Sequence, residues 1–181
     1  MRKTEETYVV VSLQRGKALY VSMPIPFLTH MVETFLTYAR LRGLVEACEK
    51  RALNEGHHII EDVAIALGRA LDQLIGDRNR VARLGWVAMP MDDAITLAAD
   101  LGGRPHWVVG ARLPGASVGG YPLYMFRHRV RALASETCAT IHVYARGSNP
   151  HHKIEAAHKA LGLAFRQAML PAERPVTTRG S

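Results

Sequence analysis

The chain writes one helical segment twice, 94 residues apart, and any fold it adopts must accommodate both copies. Residues 57–75 (HHIIEDVAIALGRALDQLI) and 151–169 (HHKIEAAHKALGLAFRQAM) agree at nine of nineteen positions. The agreement includes His-His-x-x-Glu at the start of each copy, Ala66-Leu67-Gly68 against Ala160-Leu161-Gly162, and Gln73 against Gln167. One such motif alone is compatible with a solvated surface pair in a chain that carries nine histidines. Two matched copies, each leading the same helical pattern, predict two similar halves built around metal.

The spacing suits that chemistry. Residues i and i+4 share a helix face, so His57 can converge with Glu61 and His151 with Glu155, while His58 and His152 point about 100° away. One motif therefore serves two metal positions rather than chelating one. Ligation needs neutral imidazole, and a helix N-terminus disfavours the imidazolium. A further histidine precedes each motif on a candidate helix: His30, 27 residues before His57, and His128, 23 before His151. The eight donors divide into two sites of four. Four protein ligands on an octahedral ion leave two positions open, as a catalytic site requires. His106, His142 and His158 are expected to be ordinary strand or surface residues.

At 181 residues and 48% apolar content the chain suits one compact domain of two intimately packed halves. Residues 1–80 form the first expected half-repeat, 81–170 the second, and 171–181 a polar, Pro-rich tail that is either loose or a substrate-binding strap. Cys48 and Cys138 offer no disulfide framework, which favours a reducing compartment, the cytoplasm. Neither a signal peptide nor a run of eighteen apolar residues is seen, so no membrane association is expected. The net charge of +7 invites a nucleic-acid reading. The basic residues are scattered, however, with no aromatic platform, and an anionic small substrate accounts for them as well.

The periodicity reads as ββαβα, twice, giving an α+β fold. Strands at 7–13 and 18–24 flank the turn Arg15-Gly16-Lys17 and read as a hairpin. A helix over 27–40, a strand at 43–50 and the helix from His57 to about Gly76 follow. The second half repeats the order, with strands at 84–89 and within 93–113, a helix over 121–134, a strand at 139–146 and the helix after His151. Each half is expected to be a four-stranded sheet with two helices on one face, the two packed as an α/β sandwich.

These residues, in this order, resemble the imidazoleglycerol-phosphate dehydratase family, manganese-dependent lyases of histidine biosynthesis. The likeness runs through Arg2-Lys3-Thr4-Glu5-Glu6-Thr7, Pro26-Phe27-Leu28-Thr29-His30-Met31, both His-His-x-x-Glu helices, and Pro90-Met91-Asp92-Asp93-Ala94. It continues through Gly103-Arg104-Pro105, Thr140-Ile141-His142, Gly147-x-Asn149 and the Thr177-Thr178-Arg179-Gly180 tail. The resemblance implies a homo-oligomer of 24 subunits with two Mn2+ per active site, shared between neighbouring chains. It carries over the same eight ligands: His30, His57, His58, Glu61, His128, His151, His152 and Glu155. It further implies Glu6 as the acid/base that moves protons, Arg104, Thr178 and Arg179 as holders of the substrate phosphate, and Asp62, on the solvent side of its motif, as a partner of a ligating histidine. The reaction implied is loss of water from D-erythro-imidazoleglycerol phosphate, giving imidazole acetol phosphate.

The chain departs from the family in places. Tyr38 stands where a second family histidine is expected, and Ser117 where a phosphate-gripping arginine is expected. Arg112 is the nearby cation that would compensate, and Arg179 replaces a lysine while adding bidentate geometry. The alternative is a catalytically impaired relative that survives as a metal-binding oligomeric protein.

Overall fold

The computed structural model describes residues 1–50, 56–91 and 94–174. The first half holds the strands β1 (Arg2–Lys3), β2 (Thr7–Arg15) and β3 (Leu19–Ser22), helix α1 (Pro26–Ala39), strand β4 (Leu41–Glu49) and helix α2 (His57–Ile75). The second half holds β5 (Leu84–Pro90), β6 (Ala94–Asp100), β7 (His106–Ala111), a short pair β8 (Ser117–Val118) and β9 (Tyr121–Pro122), helix α3 (Met125–Glu136), β10 (Thr140–Arg146) and helix α4 (Pro150–Ala168). A strand precedes each ββαβα unit and completes its sheet of four.

The two large sheets share one topology, β1-β2-β4-β3 and β5-β6-β10-β7. This corrects the expected hairpin. β2 pairs antiparallel with β4 from Thr7↔Glu49 to Arg15↔Leu41, and β3 pairs parallel with the other edge of β4. The Arg15–Lys17 turn therefore carries the chain past a vacant strand position, which β4 fills after the α1 crossover. A parallel strand pair needs such a crossover. Gly43 shows why β4 fits there: a Cβ on it would lie 1.8 Å from the Ser12 carbonyl oxygen. The helix expected over 121–134 starts later, at Met125. Pro122 holds Tyr121 extended, and Gly119 and Gly120, both at positive φ, turn the β8–β9 hairpin.

All four helices lie between the sheets, α1 against α4 and α2 against α3. The duplicated glycines sit at those crossings. A Cβ on Gly68 would stand 2.6 Å from Glu136 Cβ, and one on Gly162 would stand 2.5 Å from the Phe35 carbonyl oxygen. Phe35 and Phe165 meet edge-on across the α1–α4 contact, ring centroids 5.7 Å apart. Each helix of one half thus packs on a helix of the other. No helix among the described residues is long and apolar enough to cross a membrane.

Candidate metal centre

Those helix crossings place the histidines. α2 opens at His57, directly after Gly56 in the left-handed region. α4 opens at Pro150, and its first turn is capped by the Asn149 side chain, which accepts from the His151 and His152 amides at 2.9 and 3.4 Å. The expected i,i+4 pairs form in both copies. His57 Nε2 lies 3.6 Å from Glu61 Oε2, and His151 Nε2 lies 3.5 Å from Glu155 Oε2.

Each pair gains its third donor from the opposite half. His128 of α3 brings its ring to 5.9 Å from that of His57. His30 of α1 brings Nε2 to 3.9 Å from Glu155 Oε1. Two half-sites result: His57, Glu61 and His128 where α2 meets α3, and His30, His151 and Glu155 where α4 meets α1. Two donors at about 2.1 Å from one ion lie about 3.0 Å apart when cis and about 4.2 Å when trans, so the observed separations leave room for a cation between nitrogen and carboxylate oxygen. The donor set of imidazole and carboxylate suits a divalent transition ion. Among the described residues, no three such donors are closed on one point at metal-binding geometry within a single chain.

His58 and His152 are the next residues round each helix, with rings 5.6 and 5.7 Å from those of His57 and His151. Arg104 lies at the far end of the second sheet. Its carbonyl accepts from Thr140 at the start of β10, whereas His151 follows the end of that strand. Within one chain it therefore does not join either half-site. Thr178, Arg179, Asp92 and Asp93 lie outside the described residues.

Asp62 is placed differently from its expected solvent side. It is buried, and its carboxylate is held by Arg2, Thr4 and Thr7 of the N-terminal segment. Glu6 lies in that segment, between β1 and β2, where its carbonyl accepts from the Lys50 amide at 2.7 Å. The Arg112 carbonyl accepts from the buried Lys153 ammonium at 2.9 Å. The cation lining the cavity beside His128, about 300 Å³ in volume, is instead Arg127, with Leu113 and Tyr124 among its other walls. Ser117 and Tyr124 line an adjoining cavity of about 440 Å³.

Three contacts of the half-sites escaped the sequence reading. Lys159 Nζ sits 2.9 Å from Glu155 Oε1, and its hydrogen bond is the main cause that holds this carboxyl below its ordinary value, with His30 and His151 adding to it. Its i+4 spacing from Glu155 was the available signal. Tyr124 packs its ring 6.0 Å from His128 and 6.3 Å from His57. Phe27 packs 5.1 Å from His151. Both aromatic residues lie about one helical turn before a candidate ligand histidine, a spacing too common to be diagnostic. His158, by contrast, is no surface residue. It is buried, its Nδ1 donates to the Ile154 carbonyl at 2.7 Å, and burial with the neighbouring Arg129 charge pushes its pKa down to about 3.

Comparisons with known proteins agree with this architecture. A family model described as imidazoleglycerol-phosphate dehydratase matches residues 23–165. The imidazoleglycerol-phosphate dehydratase of Pyrobaculum calidifontis is 68% identical over 180 residues, 99% of this chain and 96% of the relative. That of Pyrobaculum arsenaticum is 67% identical over 177 residues, 97% and 96% of the two chains. The crystal structure of the Pyrococcus furiosus enzyme in complex with (S)-C348 superimposes with a TM-score of 0.84 at 31% identity, covering 98% of this chain and 97% of that one.

Proposed function

Because the chain belongs to the imidazoleglycerol-phosphate dehydratase family, hydro-lyases of histidine biosynthesis, we propose that it removes water from D-erythro-imidazoleglycerol phosphate with the help of two Mn2+ ions, giving imidazole acetol phosphate. The observation that carries this reading is the pair of half-sites, each assembled from one helix of either half. His57, Glu61 and His128 would hold one ion, and His30, His151 and Glu155 the other. His58 and His152, turned to the next face of their helices, would complete the half-sites of neighbouring chains in a cytoplasmic assembly of 24 subunits. When bound, manganese supplies Lewis acidity toward the substrate's imidazole and hydroxyl.

The remaining chemistry falls to the chain. The reaction takes a hydroxyl from the carbon beside the ring and a proton from the next carbon. The enol so formed becomes a ketone by taking up a proton on carbon. Glu6 is the group that accepts and returns these protons. Arg104 at the far end of the second sheet, with Thr178 and Arg179 of the tail, holds the phosphate of a substrate bound at a neighbouring chain's half-site. Charge-assisted contacts of this kind hold phosphate firmly. The cavity beside Tyr124, Arg127 and His128 is the opening through which a small anionic substrate reaches one half-site.

Steady-state assay with imidazoleglycerol phosphate and manganese tests the reading, and light scattering tests the sharing of ligands. Turnover is expected with manganese and none after chelation. The chelated protein should also fall in mass, since shared ligands link metal binding to association. A metal-loaded protein with no turnover would leave the impaired-relative alternative standing. A mass indifferent to chelator would count against shared sites.

A further inference from the structure

We propose that Asp62 is a positioning residue whose buried carboxylate clasps the segment Arg2–Thr7 onto α2 and thereby fixes Glu6 beside the His58 face of that helix. The proposal rests on Glu6 moving protons, as argued above. Asp62 is 6% exposed and follows the ligand Glu61 directly. Its Oδ1 accepts from Arg2 Nε at 2.6 Å, and its Oδ2 accepts from the Thr7 hydroxyl and, at 3.4 Å, from the Thr4 hydroxyl. Thr4 and Thr7 are tied to each other as well: the Thr7 amide donates to Thr4 Oγ1 at 2.9 Å, and the Thr4 amide to the Thr7 carbonyl at 3.0 Å. Three donors to one carboxylate thus bracket Glu5 and Glu6 on both sides. The Lys50 amide, bonded to the Glu6 carbonyl, closes the turn from the end of β4.

The internal repeat supplies the control. The position equivalent to Asp62 in α4 is Ala156, which is fully buried without any polar group. The packing at this point of the repeat therefore does not require a carboxylate. A buried carboxylate left without donors is costly, and here every donor comes from the segment that carries Glu6. Direction follows from helix geometry. Asp62 is four residues after His58, so both project from the same side of α2, roughly 100° from the side of His57 and Glu61. The clasp consequently sets Glu6 on the His58 side, so that one chain sends His58 and Glu6 together toward the same active site.

The test uses the manganese-loaded enzyme and three variants: Asp62→Asn, Glu6→Gln and the double substitution. Asp62→Asn should lower kcat by about ten- to hundredfold with little change in KM, the usual effect of losing a supporting contact. Bound manganese should be unchanged. The double variant should be no slower than Glu6→Gln alone, because a residue acting through Glu6 has nothing left to position. Hydrogen exchange of the residue 4–7 amides should speed up in the metal-free Asp62→Asn protein. Should Asp62→Asn fail to fold, Arg2→Gln removes only the Oδ1 arm and should give a smaller loss, again absorbed by Glu6→Gln. Losses that multiply in the double variant, activity restored by excess manganese, or unchanged exchange at 4–7 would overturn the clasp. Failure of the wild type to dehydrate the substrate would sink the functional reading instead, and full activity in Glu6→Gln would remove Glu6 from its role. The exchange measurement still judges the clasp in both cases.

Discussion

The two half-sites hold the same donors in different surroundings. At the α4–α1 crossing, Glu155 is 16% exposed in its side chain and bonded to Lys159, and His151 packs on the buried ring of Phe27. At the α2–α3 crossing, Glu61 is 34% exposed, the position equivalent to Lys159 is Ile65, and His57 packs beside the half-exposed Tyr124. The first-half helix alone carries the Asp62 clasp, and the second-half helix alone carries the buried His158 where Ala64 stands in the other copy. The two copies thus keep the same donor set and differ in what surrounds it. Donors that converge on one point are constrained jointly, whereas their neighbours answer only to local packing.

That comparison breaks most visibly if one carboxylate is removed at a time. Glu61→Ala and Glu155→Ala should each lower kcat by more than about 100-fold, since even indirect supports of a metal ligand contribute 10–100-fold. Manganese retained per chain after dialysis should fall further in Glu155→Ala, where the Lys159 ammonium is left facing the site without its partner. Equal manganese losses would show that Lys159 makes no difference between the two halves.

The glycine crossings give a smaller effect with a clear order. An alanine Cβ at 162 would meet backbone, the Phe35 oxygen at 2.5 Å and the Ala39 nitrogen at 2.9 Å. At 68 its nearest contact is the Glu136 side chain, with the Leu133 oxygen at 3.3 Å. Overpacking costs about 1–3 kcal/mol, and replacing a helical glycine by alanine returns up to about 1 kcal/mol. Gly162→Ala should therefore destabilise by about 2 kcal/mol and Gly68→Ala by clearly less. Denaturant unfolding of the metal-free proteins measures both, and the reverse order would refute the packing argument.

His158 yields the smallest difference. Its folded pKa lies below the ordinary histidine value, so the unfolded chain binds a proton that the folded chain refuses. Its contribution is complete above about pH 6.5 and declines as pH falls toward about 3, by about 1 kcal/mol between pH 6.5 and 5.5. His158→Leu should flatten that part of the metal-free stability profile. An unchanged slope would place the acid sensitivity elsewhere.

Much of this was legible in the residues. The repeat announced two halves, and the i,i+4 spacing brought His57 to Glu61 and His151 to Glu155, because helical periodicity is a local property. The pairing of His30 with Glu155 and of His128 with His57 was not legible, since it depends on helices from opposite halves meeting at Gly162 and Gly68. The turn at Arg15–Lys17 misled for a similar reason. A turn signal says that the chain reverses, and says nothing about a later strand entering between the two arms. Asp62 was placed on the solvent side of its motif, where local spacing shows nothing that would cover it. What buries it is the N-terminal segment, nearly sixty residues earlier in the chain.

The sequence by itself determined the donor types, the doubling of the motif, the α+β class and the family. Each of these follows from residue identity and short-range spacing. Tertiary structure alone decided that each half-site draws on both halves, that Glu6 is tied to α2 through Asp62, and that Arg104 stands away from the half-sites of its own chain. These depend on which surfaces pack together, which is settled by close approach and burial between segments far apart in sequence.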